Sequence, residues 1–432
     1  MEANIGRIQA REVLDSRGHP TVEVDVHCRG GAWGRAIVPS GASTGRHEAR
    51  ELRDGDPLHF SGKGVRRAVA NVHDVIAPAI AGMSAFEQGA IDRRLLDLDG
   101  TSDKSCLGAN ALLGVSLACA HAAAAVRSQP LWRYLSLPAP RPSLPMPMVN
   151  LISGGLHAGR NLEFQDFLLL PIGARSYSQA LEMTVAVYRA LAATLVESGF
   201  EGVLVGDEGG FGPRLKSNEQ AVDMILRAIA RAGLQPGRDA ALALDVASTH
   251  FFRDGLYQLE NKAFTAEQMT DLLVRWVDRY PILSIEDGMA EDDWDGWRML
   301  TQALGHKVQL IGDDLFVTNV DRLRRGMREK VGNSILIKVN QIGTLTETLE
   351  VLSLARAAGY RPVISARSGE TEDSTIADLA VATAAGQIKI GSVARGERLA
   401  KYNQLLRIEE QLGGSAAPFS AWSLSSAACG IA

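Results

Sequence analysis

The chain has 432 residues, 46% of them hydrophobic and 22% charged, and its formal net charge is −5 at pH 7. This length exceeds one ordinary domain, and the composition is typical of a folded globular protein. A slightly acidic chain without a long apolar run gives no basis for a nucleic-acid or membrane partner. The four cysteines lack metal-ligand spacing and no signal peptide is evident, so we expect free thiols in a cytoplasmic protein.

The N-terminal part, residues 1–136, is predicted to be a small α+β domain that caps a larger one. Residues 5–38 predict a strand meander, because apolar and polar side chains alternate from Thr21 to Val26. Helical periodicity then follows at 64–79, 86–97 and 108–127.

A loop of small residues, PSGASTGR at 39–46, lies between these strands and helices. Two interpretations of this loop remain open. It is an ordinary flexible connection, or it is a mobile lid that closes over an anionic ligand. In the second case Ser40 would contact a metal ion or a phosphate.

The domain boundary is predicted at 137–147, where the sequence is LPAPRPSLPMP. Five prolines within these eleven residues exclude a helix and stiffen an extended linker. The second domain is therefore predicted to occupy residues 148–432.

Between 241 and 391, short apolar runs alternate with helical periodicity at 266–276, 321–330 and 345–358. Runs that are apolar on both faces are typical of buried parallel strands, and the alternation predicts an α/β fold with a (β/α)8 barrel. Active sites of such barrels lie at the C-terminal ends of the strands. In this chain those ends carry Asp245, Glu286, Asp313, Lys338, Arg367 and Lys389.

Three carboxylates at successive strand ends, those of Asp245, Glu286 and Asp313, predict a Mg²⁺ site, because Mg²⁺ prefers oxygen ligands in octahedral geometry. The alternative is that each caps a helix or pairs with a lysine. Lys338 and Lys389 follow on later strands. A lysine whose pKa is lowered by burial and nearby cations can act as a general base, although these lysines can equally serve to neutralise the carboxylates.

Further candidates lie on loops and on one more strand end. The glycine-rich loop GDEGGFGP at 206–213 carries Glu208, which could act as a general acid opposite a lysine base. His157 lies in the loop SGGLHA at 153–158, where a substrate contact is favoured over a structural role. Arg367 offers a bidentate fork for a phosphate or carboxylate.

The chain resembles the enolase (phosphopyruvate hydratase) family over nearly its whole length. The resemblance rests on long motifs: LDSRGHPTVE at 14–23, SGASTG at 40–45, GDEGGF at 206–211, SIED at 284–287, GDDL at 312–315, IKVNQIGTLTE at 337–347, RSGETED at 367–373 and ERLAKYNQLLRIEE at 397–410.

The resemblance implies an enolase-type barrel that binds two Mg²⁺ ions and forms a homodimer or a larger homo-oligomer. By matching positions, Asp245, Glu286 and Asp313 would bind the tighter ion, and Ser40 would help to bind the second one with the substrate phosphate. Lys338 would remove the proton alpha to the substrate carboxylate, while Glu208 would help the 3-hydroxyl group to leave. The substrate contacts would come from His157, Asp166, Lys389, Arg367 and Ser368.

The chain shows four departures from the family pattern, one of which spans two residues. Ala366 replaces a histidine, Asp166 replaces a glutamate, Arg46 replaces an acid, and Gly159–Arg160 replaces Asp–Asn. The first two changes enlarge the pocket, and the arginines add positive charge to its loops. Three functions remain open: interconversion of 2-phosphoglycerate and phosphoenolpyruvate, turnover of a phosphonate or carboxyphosphono analogue as in carboxyphosphonoenolpyruvate synthase, and non-catalytic binding or scaffolding.

Overall fold

A computed structural model of the protein describes residues 2–136, 140–414 and 417–419. An N-terminal α+β domain precedes a closed barrel of eight strands surrounded by helices, so the predicted α/β class and the small additional domain are confirmed. Part of the predicted linker, 137–139, and the last part of the predicted barrel domain, 420–432, lie outside the described residues.

The N-terminal domain begins with an antiparallel sheet in the order β1-β2-β3, as the alternating pattern predicted. Its strands are β1 (Ile5–Leu14), β2 (Pro20–Cys28) and β3 (Trp33–Ile37). Val22, Val24 and Val26 are fully buried. They point to one face of β2 because side chains in a strand alternate between its two faces.

Helices cover that face of the sheet. They are α1 (Arg66–Asn71), a π-helical turn (Val72–Ile76), α2 (Ala77–Ile80), α3 (Gln88–Asp99), α4 (Ala109–Val126) and α5 (Leu131–Leu135), and a 3-10 turn (Phe60–Gly62) precedes them. The backbone of α4 rests directly on β3 at Gly34, where a Cβ atom would lie 2.1 Å from the amide nitrogen of Ala122. α4 is apolar and long enough to span a membrane, but 89% of it is buried, as in the core helix of a globular domain.

The barrel strands close in the order β10-β11-β12-β13-β14-β4-β5-β6. The chain supplies them as β4 (Met146–Ser153), β5 (Asp166–Leu170) and β6 (Ala241–Asp245), followed by a small separate sheet of β7 (Phe252–Arg253), β8 (Leu256–Leu259) and β9 (Lys262–Phe264). The remaining barrel strands are β10 (Ile282–Glu286), β11 (Gln309–Gly312), β12 (Ser334–Ile337), β13 (Arg361–Ser365) and β14 (Gln387–Gly391).

One strand interrupts the regular strand–helix alternation that the sequence predicted. β5 runs antiparallel to both β4 and β6. The segment joining β4 to β5 contains a 3-10 turn (Gly155–Ala158) but no crossover helix. A parallel pair needs a longer crossover connection, usually a helix, whereas antiparallel neighbours can be joined by a short one.

An apolar layer fills the inside of the barrel, formed by Met148, Leu168, Leu170, Ala241, Ala243, Ile311, Leu336 and Val363. A larger apolar layer lies between the strands and the helices. A third 3-10 turn (Ser248–Phe251) follows β6. The helices are α6 (Tyr177–Glu197), α7 (Asn218–Arg231), α8 (Ala266–Arg279), α9 (Trp294–Leu304), α10 (Val320–Glu329), α11 (Val339–Ile342), α12 (Leu345–Ala357), α13 (Thr375–Ala382) and α14 (Gly396–Gln411).

Asp378, buried in α13, makes the stability of the fold depend on pH. Its carboxylate accepts hydrogen bonds from the Trp132 amide at 3.1 Å and from Gln404 Nε2 at 3.1 Å. Burial outweighs these bonds and raises the pKa of Asp378 to about 6. The folded protein therefore retains a proton here that the unfolded chain releases at lower pH, and the contribution to stability falls as the pH rises from about 4 to 6.

We expect Asp378→Asn to remove this loss of stability with rising pH. The free energy of unfolding of the variant, relative to the wild type, should rise by on the order of 2 kcal/mol between pH 4 and pH 6 and then level off. Urea unfolding at a series of pH values measures the difference. A constant difference across that range would contradict the assignment.

Candidate active site

Most of the predicted site residues converge on one small, partly open cavity at the mouth of the barrel. Its lining comprises Ser43, His157, Gln165, Glu208, Asp245, Lys338, Ser365, Ala366, Arg367, Ser368 and Lys389. The strands that end at this mouth bring these side chains together. Because β5 is antiparallel, its first residue, Asp166, lies at the same mouth and is paired with Asp245. About 10 Å³ of free space remains, roughly the volume of one water position.

Lys389 joins two of the predicted metal ligands. Its Nζ atom lies 2.7 Å from Asp245 Oδ2 and 2.7 Å from Glu286 Oε2, and all three side chains are buried. Burial opposes the charged amine, but Asp245 and Glu286 outweigh it and raise the pKa of Lys389 well above its usual value. The ammonium group therefore occupies the space between the two carboxylates.

Lys338, the predicted base, forms a similar pair with the third predicted ligand, Asp313. Its Nζ atom lies 2.5 Å from Asp313 Oδ2. Burial opposes the charge, but the carboxylate prevails, so the pKa of Lys338 is raised and that of Asp313 is lowered. Burial alone therefore does not lower the pKa of Lys338, because an anionic partner lies within hydrogen-bonding distance.

The acids at this mouth outnumber the cations paired with them, which fits a bound divalent cation. Burial and the neighbouring Asp245 raise the pKa of Glu286 well above its ordinary value. Burial and Asp313 likewise raise the pKa of Asp314 to about 8. Gln165 donates from Nε2 to Asp245 at 3.2 Å, while its Oε1 atom has no hydrogen-bond partner among the described residues. Carboxylate and amide oxygens are the ligands that hard divalent cations take.

A second acidic group overlaps the predicted one. Ligand oxygens of Asp287, Asp313 and Asp314 lie within 4.8 Å of one another. Both carboxylate oxygens of Asp287 are already engaged, because they accept the amide hydrogens of Asp313 at 3.0 Å and Asp314 at 2.8 Å. Asp287 therefore orients the loop that carries Asp313. The motif SIED contains it, but sequence alone does not distinguish it from Glu286.

His157, Asp166 and Glu208 form a proton-holding group next to these acids. His157 Nδ1 donates to Asp166 Oδ2 at 2.8 Å, and its Nε2 atom lies 3.8 Å from Glu208 Oε1. Burial opposes the charged ring, but the two carboxylates raise the pKa of His157 to about 9. Burial also opposes the charge on Glu208, yet His157 and Arg398 lower its pKa. At neutral pH the proton therefore resides on His157 rather than on Glu208.

Arg367, the predicted anion-binding residue, already has an anionic partner. Its terminal nitrogens donate to the two carboxylate oxygens of Glu48 at 2.8 and 3.2 Å. They also donate to Asn340 Oδ1 at 3.0 Å and to the Ser43 carbonyl at 2.7 Å. Glu48 is not among the predicted site residues, although it lies in the polar segment directly after the small-residue loop. An incoming anion must share Arg367 with Glu48 or displace it.

Ser40, the predicted metal contact of the small-residue loop, is bonded to the barrel backbone and to neighbouring side chains. Ser40 exchanges backbone hydrogen bonds with Gly369 at 2.8 and 2.9 Å. Its hydroxyl group donates to Glu51 at 3.0 Å and accepts from Arg53 at 2.9 Å, and the residue faces a larger outer cavity. Ser43, in the same loop, lines the inner cavity instead. Both serines lie among small residues of the same loop, and the path of the loop in the folded protein decides which of them lines the inner cavity.

The four departures from the family pattern fall in two places. Ala366 lines the cavity and Asp166 lies behind it in contact with His157. Arg46 is exposed near Asp292, and Arg160 is exposed on the loop after His157. The expected enlargement of the pocket therefore concerns Ala366 and Asp166, whereas the two arginines add charge to the outer surface.

Both parts of the chain match enolase sequence families. Residues 5–135 match the family described as the N-terminal domain of enolase. Residues 141–426 match the family described as the C-terminal TIM barrel domain of enolase. These two matches cover almost the whole chain, in the order in which the two domains occur here. The chain therefore belongs to the enolase family.

Proposed function

We propose that the protein is a Mg²⁺-dependent lyase that removes the proton alpha to a carboxylate and interconverts 2-phosphoglycerate and phosphoenolpyruvate. One observation carries this proposal: a lysine and a proton-holding group face the same cavity from opposite sides. β12 leads into Lys338, and β5, which begins at Asp166, lies four strands away around the eight-stranded barrel. His157 and Glu208 lie on the side of Asp166. This arrangement suits an elimination in which one side accepts a proton and the other donates one.

In the dehydration direction the neutral amine of Lys338 accepts the alpha proton. The electron pair of the broken C–H bond forms the new C=C bond, and the C–O bond to the 3-hydroxyl group breaks. The departing oxygen takes a proton from the His157–Glu208 pair and leaves as water. Because the pKa of His157 is about 9, His157 is the protonated member of the pair and the proton source. Glu208 Oε1 lies 3.8 Å from its Nε2 atom.

Asp245, Glu286 and Asp313 would hold the catalytic cation. When bound, a divalent cation would compete with Lys338 for Asp313 and place positive charge next to the substrate carboxylate, where negative charge develops. Lys389 lies between Asp245 and Glu286, so we propose that it reorients toward the substrate when the site is loaded. Arg367 and Ser368 would hold the phosphate.

A second candidate substrate is a phosphonate or carboxyphosphono analogue of phosphoenolpyruvate. The observation in its favour is the small side chain of Ala366 in the cavity lining, directly beside Arg367. A methyl group there leaves room for a bulkier anionic substituent near the guanidinium group.

Replacing the proposed base tests the reaction directly. We expect Lys338→Ala to slow exchange of the alpha hydrogen of 2-phosphoglycerate in D₂O by at least about 100-fold, because general bases contribute factors of this size. Nuclear magnetic resonance of the substrate measures the exchange. Lys307→Ala is the matched control, since Lys307 is half-exposed and pairs with Asp278 on the surface. Exchange at the wild-type rate in Lys338→Ala would exclude its role as the base.

The metal assignment is tested by stability, independently of turnover. Without a cation, Lys389→Met leaves Asp245 and Glu286 buried and unpaired, which should cost about 3–5 kcal/mol in EDTA. Excess Mg²⁺ should restore much of this loss. Lys307→Met should change stability by less than about 1 kcal/mol, with no dependence on Mg²⁺. If Mg²⁺ raises the melting temperature of neither the wild type nor Lys389→Met, the site does not hold it.

A substrate panel separates the two candidate reactions. We expect turnover of 2-phosphoglycerate in Mg²⁺ and its loss in EDTA, followed by absorbance of the enol product. Turnover of only a phosphonate or carboxyphosphono analogue would identify the second candidate. Binding of these anions without any turnover would indicate a non-catalytic protein.

A further inference from the structure

The base Lys338 is held at its backbone as well as at its side chain. The Lys338 amide donates to the hydroxyl group of Thr318 at 2.9 Å. That hydroxyl group donates in turn to Gln341 Oε1 at 2.7 Å. Thr318 is fully buried and Gln341 is 1% exposed, so water does not compete for these bonds.

Gln341 also binds Asp313, the carboxylate that pairs with Lys338. Its Nε2 atom donates to Asp313 Oδ1 at 2.8 Å, and the other carboxylate oxygen, Oδ2, lies 2.5 Å from Lys338 Nζ. Thr318, Gln341, Asp313 and Lys338 thus form a closed ring of hydrogen bonds. The ring fixes the backbone of Lys338, from which the side chain extends. It also fixes the Asp313 carboxylate, which the Lys338 amine contacts.

The backbone at Thr318 is strained, which indicates that this position of the hydroxyl group is held by its surroundings. Val317 and Thr318 have φ angles of +42° and +52°. β-branched residues rarely adopt this left-handed region, and such conformations persist where the structure around them determines them. The turn begins at Asp313, whose carbonyl accepts the amide of Val317 at 2.7 Å.

Gln341 also contacts the segment that follows the small-residue loop of the N-terminal domain. Its carbonyl accepts the amide of Ala49 at 2.8 Å. The neighbouring residue, Glu48, binds Arg367 through both carboxylate oxygens. Gln341 therefore connects the ring, which lies in the barrel, to the N-terminal domain through the Ala49 amide.

We propose that Thr318 and Gln341 are positioning residues that set the direction of the Lys338 amine for proton abstraction. The inference rests on the proposed function, because it assigns a purpose to the ring only if Lys338 is the base. A lysine has four side-chain torsions, and a displacement of about 1 Å at a reacting atom can lower a rate by about 100-fold. Thr318 holds the backbone of Lys338 and Gln341 holds the carboxylate of Asp313, and both bonds limit such displacements.

A purely structural role of the ring predicts different effects of mutation on stability and on kcat. Buried polar groups need partners whether or not they take part in a reaction, so loss of the Thr318 hydroxyl would lower stability in either case. Only a positioning role predicts a selective loss in kcat for the protein that remains folded. Substrate binding should change little, because Arg367 and Ser368, which are proposed to hold the phosphate, lie outside the ring.

A matched pair of variants separates these roles. Thr318→Val keeps the β-branched shape and removes the hydroxyl group, whereas Thr318→Ser keeps the hydroxyl group and removes the methyl group. We expect Thr318→Val to lower kcat about 10–100-fold with KM changed less than about 3-fold, and Thr318→Ser to stay within about 3-fold of the wild type. In Thr318→Val, hydrogen–deuterium exchange should also become faster at the Lys338 amide, which loses its acceptor.

Gln341→Met supplies a second variant if Thr318→Val does not fold. It removes the bond to Asp313 and the acceptor of the Thr318 hydroxyl group, but it keeps the Thr318 hydroxyl group to which the Lys338 amide donates. We expect a similar selective loss in kcat with unchanged exchange at the Lys338 amide. Wild-type kcat in Thr318→Val or Gln341→Met, equal loss in Thr318→Ser, or a parallel change in kcat and KM would overturn the inference while leaving the proposed function intact. A wild-type protein that turns over no substrate in the panel would overturn both.

Discussion

The structure depends on how the buried charges at the mouth of the barrel are neutralised. Lys389 joins Asp245 to Glu286, and Lys338 pairs with Asp313, all within a nearly filled cavity. Removing one member of such a pair leaves an uncompensated buried charge, at a cost of about 3–5 kcal/mol. The two lysines are thus held protonated, and the acids remain in excess. The two lysines therefore compensate part of the acidic charge that the fold gathers at this end of the barrel.

Groups that hold protons lie on two sides of the cavity. Lys338 follows β12, while the proton on the other side is held by His157 between Asp166 and Glu208. The antiparallel direction of β5 is essential to this arrangement, because it brings the first residue of that strand to the same end of the barrel as Asp245. In a parallel strand the same residue would lie at the opposite end of the barrel.

The N-terminal domain completes the site rather than merely covering it. Glu48 supplies the carboxylate that binds Arg367, and the backbone of Ser40 pairs with that of Gly369 in the barrel. The small residues of this loop permit close approach, since a Cβ atom at Gly41 would lie within 2 Å of the Arg367 guanidinium group. Neither domain alone would therefore contain the arrangement around Arg367.

The sequence by itself determined the barrel, the strand ends and the residues with charged side chains there, because apolar periodicity and the polar residue that ends each run are local properties. It did not determine the direction of β5, the choice of Ser43 over Ser40 at the cavity, or the partnership of Glu48 with Arg367. Nor did it determine that Lys338 pairs with Asp313, which raises the pKa of the lysine. Each of these depends on which distant groups come within hydrogen-bonding distance, and only the tertiary structure decides that.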